Sequence, residues 1–300
     1  MHNFLPFAYL KNKFIPFEQA NISIATHALH YGTAAFGGLR AIPDPKNGEV
    51  LLFRLADHAK RLSQSATLLQ YQIEPEKIAE LIVEFVKQNQ ISKPSYIRPL
   101  IYASDLGISP RLHNLEKDLL IYGLELGDYL SAEGVSCCFS SWVRQEDRMI
   151  PGRGKIAGSY ITSSLAKTEA IERGFDEALM FNSQGKISEA SGMNVFMVKN
   201  GVLITPGSDQ DILEGITRRS VIQLAQSEGI EVKERPIDKS ELLIAEEVFL
   251  SGTAAKITPV SKIEMYTLPP ARPITDKLRQ LFNQITTGQT DSYSNWLTRI

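Results

Sequence analysis

Lys155 stands in the stretch PGRGKIAGSYITSSLA, a primary amine set between glycines and the start of an apolar-periodic helix. An ammonium on backbone that can approach something closely, rather than out on a helix surface, merits a second reading if other parts of the chain supply it with chemistry. Glu189, in ISEASGMNVF, is a carboxylate between an apolar run and small residues just before a strand. In LEGITRRS, Gly215 precedes a helix whose first turn holds Ile216 and Thr217, and the free N–H groups and dipole there suit a phosphate. In LSGTAAKITPV a strand ends in small residues around Thr253 and Ala254, whose amides could meet a ligand. Arg61 lies on a helix in DHAKRL, and strand alternation in SYIRPL sends Tyr96 and Arg98 to one face. Singly, each has an ordinary reading: a solvated lysine or arginine, a turn carboxylate, a helix start, a tight turn, a cross-strand pair.

Several other chemistries lack their residues. No GxGxxG follows a strand and no GxxxxGK[ST] is present, so dinucleotide and P-loop phosphate cradles are missing. The five histidines, His2, His27, His30, His58 and His113, show no HExxH spacing, and no GxSxG occurs. Cys137 and Cys138 are adjacent in VSCCFSSW, too few and too close for a disulfide framework or a zinc cluster. They read as buried thiols on a strand in a reducing cytoplasm.

The elements that must position these residues follow from pattern. FAYLKNKFIPF reads as a hairpin turning at Lys-Asn, followed by HALHYGTAAFGGLRAI and GEVLLF. A helix is expected from about Leu55 to Leu69. A second begins at Pro75, with Ile78, Leu81, Ile82, Phe85 and Val86 on one stripe. SYIRPLIYAS and LLIYGLEL read as strands. The polar GDYLSAEG then marks a connection over residues 127–134. Beyond it come the strand VSCCFSSW, a helix ending at Gly174, EALMF, an NSQG turn, and NVFMVKNGVLITP with an Asn-Gly hairpin. A helix from about Ile216, a strand EVKERP, a short helix and EVFLSGTAA follow.

Strands and helices mix without strict alternation, which predicts an α+β fold of two lobes. The first is a small N-terminal α/β domain over residues 1–127. Residues 128–134 connect it to a larger mixed-sheet C-terminal domain over 135–300. With 300 residues, 43% hydrophobic and 22% charged, the chain has the make-up of a globular enzyme. A net charge of −2 gives no broad attraction to nucleic acid or anionic membranes. No signal-peptide pattern and no apolar run of bilayer length is present, and the expectation is a cytoplasmic protein.

In this order the motifs HALHYGTAAFGGLR, YIRPLIY, the lysine stretch, ISEASGMNVF, GITR and EVFLSGTAAKITPV resemble the fold-type IV pyridoxal-phosphate enzymes, and among them the branched-chain amino-acid aminotransferases. The resemblance covers all but about the last thirty residues. It implies pyridoxal 5'-phosphate as cofactor and ping-pong exchange of amino groups between leucine, isoleucine or valine and 2-oxoglutarate. By resemblance Lys155 forms a Schiff base with the cofactor and later shuttles a proton, which requires an unprotonated amine. Glu189 matches the partner of the ring nitrogen and Tyr160 that of the ring oxygen. Arg61, the N–H groups of Ile216 and Thr217, the Thr217 hydroxyl and Thr253 match the phosphate site.

For the substrate, Tyr96 with the amides of Thr253 and Ala254 matches the α-carboxylate site, and Arg98 the distal carboxylate of glutamate. Phe36, Tyr31 and Tyr129 match aromatic walls, Tyr31 reaching in from a neighbouring subunit. Gly38 and Arg40 match further positions there, and Ile108 a mobile loop. A homodimer or higher homo-oligomer is implied, with no nucleic-acid or membrane partner. The sequence departs from the family pattern at Gly37, Leu126, Ser159 and Met193, which bear on pocket shape. Two other readings stand beside this one. One is a different fold-type IV enzyme, a D-amino-acid aminotransferase or aminodeoxychorismate lyase. The other is a non-catalytic protein that keeps the fold.

Overall fold

The computed structural model describes residues 2–127 and 133–300, so Tyr129 and most of the connection read from GDYLSAEG lie outside the described residues. Two compact units divide the chain. One comprises Met1–Gly127, Gly154–Gly158 and Gln284–Ile300, and the other Asp128–Arg153 and Ser159–Asn283. Two stretches thus depart from a plain division into N-terminal and C-terminal halves: the short segment around Lys155 and the C-terminus both belong to the first unit.

The first unit opens with the hairpin β1 (Phe7–Leu10) and β2 (Lys13–Pro16). Its turn residues Lys11 and Asn12 have φ of 52° and 59°, the left-handed pair whose twist suits a two-residue hairpin loop. Then come α1 (His27–Tyr31), β3 (Ala34–Phe36), β4 (Leu39–Pro43), β5 (Val50–Phe53), α2 (Leu55–Leu68), α3 (Pro75–Asn89), β6 (Ser95–Ala103) and β7 (Lys117–Glu125). The eight-stranded sheet runs from a C-terminal strand, Leu297–Arg299, through β5, β4, β6, β7 and β1 to β2, with β3 also paired to β6. Every pairing is antiparallel.

The stripe on α3 behaves as its spacing predicts, since Ile78, Leu81, Ile82, Phe85 and Val86 are all buried. With Leu62 of α2 and Ile97 and Ile121 of the sheet they form this unit's core. Each such side chain contributes about 1.5–3 kcal/mol by leaving water. The C-terminal strand, beyond the reach of the family resemblance, covers the free edge of β5.

The second unit contains β8 (Val135–Val143), α4 (Tyr160–Glu172), β9 (Glu177–Phe181), β10 (Ile187–Ala190), β11 (Asn194–Lys199), β12 (Val202–Thr205), α5 (Ile216–Ser227), β13 (Val232–Glu234), α6 (Lys239–Leu243), β14 (Glu247–Gly252), β15 (Lys256–Ile263) and α7 (Pro273–Thr286), whose last turn joins the first unit. The sheet order is β10-β9-β8-β15-β14-β11-β12-β13, with a short strand, Tyr266–Thr267, on β15. β8 runs parallel to both β9 and β15, and β12 parallel to β13, so the sheet is mixed. Phe196 and Phe249 are direct cross-strand partners, fully buried, with rings stacked 4.8 Å apart. Cys137 and Cys138 are free thiols buried on β8, and burial pushes both up from the ordinary thiol range.

The packing of α4 differs from its sequence pattern. Its small residues Ser163, Ala166 and Ala170 are buried, while Ile161 and Ile171 are 62% and 56% exposed. The reason is close approach: Ala166 and Ala170 lie against Cys138, Ala178 and Met180 of β8 and β9, where larger side chains would hold helix and sheet apart.

Candidate active site

Lys155 is not on a helix but on the extended segment just before one. Its N–H donates to the Ser65 hydroxyl at 3.0 Å, and its carbonyl accepts from the Phe36 N–H at 3.0 Å. The next residue, Ile156, forms a bridge to Ala35. The lysine backbone is therefore pinned to α2 on one side and β3 on the other. Ser65 donates in turn to the carbonyl of Arg61, one helical turn earlier, so α2 positions two of the expected site residues at once. One of the glycines following Lys155, Gly158, approaches other backbone closely. A Cβ on Gly32 would lie 2.7 Å from the Cα of Gly158, whose N–H donates to the Gly32 carbonyl at 3.1 Å. Backbone meets backbone there, with no room for a side chain.

Beyond the backbone, Lys155 Nζ lies 4.8 Å from the centroid of the Phe36 ring, and the Arg98 guanidinium carbon 4.6 Å from the same centroid. An amine and a guanidinium thus share one aromatic wall. Arg98 Nη2 donates to the Tyr96 hydroxyl at 3.1 Å, as the common strand face predicts. Its Nε is buried without a partner, and no carboxylate pairs with Arg98 among the described residues. Gly38 is required by that tyrosine, because a Cβ there would sit 1.8 Å from the Tyr96 hydroxyl.

Gly37 is similarly confined by Pro99 Cγ, 3.0 Å from a Cβ position. A longer side chain at 37 therefore requires Pro99 to move. Arg40 is buried, and Nη2 donates to the Leu126 carbonyl at 2.9 Å while Nη1 reaches the Gly127 carbonyl at 3.4 Å. It thereby ties down the end of the chain leaving β7. Tyr31 is partly exposed on α1 with its ring against His27, and Ile108 is 84% exposed on a loop.

In the second unit Glu189 is 7% exposed, on β10. Between Ile187 and Ala190 this strand carries one residue more than β9 opposite, a bulge that re-aims the side chains at 188 and 189. Ser188 donates to the Gln210 carbonyl at 2.7 Å. Glu189 Oε1 is paired with Arg144 Nε at 2.8 Å. Oε2 accepts the Leu213 N–H at 3.0 Å and Asn194 Nδ2 at 3.3 Å. This is a buried, ionic, tightly held carboxylate rather than a solvated turn residue.

Sequence reasoning missed Arg144, Asn194 and Ser65. The one signal for Arg144 is a basic residue closing an otherwise apolar strand, VSCCFSSWVR.

Gly215 caps α5 in extended conformation, and no side chain bonds to the cap. A Cβ at Gly215 would meet Asn194 Oδ1 at 2.2 Å, so a side-chain cap is sterically barred. Thr217 is buried in the first turn. Thr253 and Ala254 form the turn joining β14 to β15, and Tyr160 opens α4. Ser159 is buried, its carbonyl accepting from Gln145 at 3.4 Å, and Met193 packs beside Gly252.

The donors in each unit fit groups of pyridoxal phosphate. An ionised buried carboxylate suits a pyridinium N–H. An uncapped helix start with a buried threonine suits a phosphate, and an amine beside an aromatic wall suits an aldehyde. Among the described residues no cluster of histidine, cysteine and carboxylate could hold a metal.

The amino-transferase class IV family matches residues 35–263. A probable branched-chain-amino-acid aminotransferase of Synechocystis sp. is 65% identical, over 100% of this chain and 99% of its own. The crystal structure of a branched-chain aminotransferase from Thermoproteus uzoniensis with norvaline superposes with a TM-score of 0.94 at 37% identity, covering 99% of each chain. That of a branched-chain amino acid aminotransferase from Thermobaculum terrenum in its PLP form gives 0.93 at 35%, again over 99% of each chain.

Proposed function

The chain belongs to the class IV aminotransferases, and from that premise we propose that it is a pyridoxal-phosphate-dependent branched-chain-amino-acid aminotransferase. It exchanges the amino group of leucine, isoleucine or valine with 2-oxoglutarate in two half-reactions. When bound, the cofactor supplies an aldehyde carbon and an electron-withdrawing ring that takes up the electron pair left at the substrate Cα.

Lys155 Nζ would hold that aldehyde carbon. The Lys155 amine, when free and unprotonated, would take up and return the proton at the substrate Cα. Glu189 accepts the ring N–H, and Tyr160 bonds the ring oxygen. Arg61, Ile216, Thr217 and Thr253 hold the phosphate with a guanidinium, helix N–H groups and hydroxyls. Tyr96, Thr253 and Ala254 hold the substrate α-carboxylate beside Phe36 and the Tyr31 of a neighbouring subunit, with Gly38, Arg40 and Ile108 completing the surroundings.

One observation carries the substrate reading: Arg98 presents a buried, unpartnered Nε and has no carboxylate of its own, beside the aromatic face of Phe36. An apolar wall with an unpaired guanidinium serves a pocket that alternately takes a branched aliphatic chain and a dicarboxylate. The test offers L-leucine and, separately, D-alanine with 2-oxoglutarate while the visible spectrum is recorded. Turnover of L-leucine with a visible band is expected. Turnover of D-alanine alone, or a colourless inert protein, overturns the assignment.

We further propose a homodimer or larger homo-oligomer with Tyr31 serving a neighbouring subunit, and a cytoplasmic location. Supporting the first, the apolar side chains of Leu29 and Leu106 are exposed in the same unit as Tyr31. For the second, no helix among the described residues is long and apolar enough to cross a membrane. Sedimentation velocity tests the assembly, and a monomer at assay concentration refutes it.

A further inference from the structure

Arg144 lies just past the end of β8, where its N–H donates to the Phe181 carbonyl at 2.8 Å. Its side chain is 6% exposed. Nε is shared between Glu189 Oε1 at 2.8 Å and the Asp211 carbonyl at 3.3 Å. The other oxygen of Glu189 is held by the Leu213 N–H and by Asn194, which also donates to the Leu213 carbonyl at 2.8 Å. Three donors from three separate segments therefore fix one carboxylate in position and orientation, and only one of the three carries a full charge.

We propose that Arg144 is a positioning residue that keeps Glu189 ionised, so that the proton shared with the cofactor's ring nitrogen stays on the ring. This rests on the reading of Glu189 as the ring-nitrogen partner. The proton has two places to reside, the ring nitrogen or the carboxylate, and moving it between them turns a cation–anion pair into two neutral groups. In a buried setting the neutral pair gains, because desolvation penalises both charges. A guanidinium touching the carboxylate reverses that preference. It also repels the ring cation, but from farther away, and Coulomb energy falls with distance, so the nearer attraction decides. Arg144 touches neither substrate nor cofactor in this account and acts through Glu189.

The experiment loads the protein with pyridoxal phosphate labelled with nitrogen-15 in the ring and reads the ring nitrogen's chemical shift, which reports its protonation directly. The wild type is expected at the pyridinium position. Arg144→Met should move the signal toward neutral pyridine and raise the cofactor dissociation constant on the order of tenfold, the size of a lost contact to a charged group. Arg144→Lys, which restores the charge without the planar fork, should return the signal most of the way.

A signal at the pyridinium position in folded Arg144→Met overturns the proposal. If that variant does not fold, Arg144→Gln replaces it with the same criterion. Glu189→Gln separates the two layers. If it leaves the signal unmoved, the reading of Glu189 itself fails. If it moves the signal and Arg144→Met does not, only the role of Arg144 fails.

Discussion

Substituting Gly38 tests how closely the proposed substrate pocket is packed. The backbone at Gly38 is not in the left-handed region, so the demand for glycine comes from space alone. A methyl group at 38 would stand 1.8 Å from the Tyr96 hydroxyl and 2.5 Å from its Cζ, where Cβ contacts under 3.0 Å are essentially never found. The hydroxyl must therefore retreat by at least about 1.2 Å, the difference of those limits. That displacement breaks its 3.1 Å bond from Arg98. A hydrogen bond to a charged group is worth about 1.5–3 kcal/mol, equivalent to roughly ten- to 150-fold in kcat/KM.

Steady-state kinetics on Gly38→Ala, Tyr96→Phe and the double variant, with L-leucine and 2-oxoglutarate varied in turn, measures the effect. The alanine should raise KM far more than it lowers kcat, for both substrates. The two losses should combine less than multiplicatively, because removing the hydroxyl removes the worst overlap while leaving that with Cζ. Kinetics of Gly38→Ala within twofold of wild type, or losses that multiply in full, would refute the packing argument.

Three further outcomes are expected. Lys155→Ala should lose the covalently held cofactor, so that borohydride reduction leaves no label on the protein; a retained stable adduct would place the reactive amine elsewhere. Gly215→Ala should push Asn194 off Glu189, since the added carbon would lie 2.2 Å from Asn194 Oδ1; it should therefore weaken cofactor retention, and wild-type retention on dialysis would count against the coupling. The hydrogen bond from Arg235, aided by Lys199, pulls the Glu241 carboxyl from its ordinary 4.5 down to about 2. A depressed folded-state pKa adds stability that is complete above the unfolded value and disappears as pH falls from about 4.5 toward about 2. Glu241→Gln should thus cost on the order of 1–3 kcal/mol at neutral pH and flatten the acid limb of the unfolding curve, which chemical denaturation at several pH values will show.

Local pattern carried much of this protein. The stripe on α3, the left-handed turn at Lys11 and Asn12, the Asn200-Gly201 hairpin and the start of α5 at Ile216 all depend on neighbours a few residues away, and the text of the chain shows them. The types of the site residues were equally legible, because an amine, an acid, a helix-opening threonine and a Tyr-x-Arg pair are properties of the residues themselves. Resemblance to a family then supplied their roles.

What the sequence could not show was decided by approach between distant segments. The text around Lys155 suggests a lysine at a helix start, but backbone bonds to Ser65 and Phe36 make it part of the first unit. The sheet beneath α4 admits only small residues, and no periodicity in the helix's own text reports on that partner. Glu189 reads as an ordinary turn acid until a bulge and an arginine forty-five positions earlier bury and pair it. Gly38 looks merely flexible until Tyr96 fills the space beside it. Periodicity and turn chemistry are short-range and so are written along the chain, whereas burial, pairing and clearance are long-range and exist only once the chain has folded.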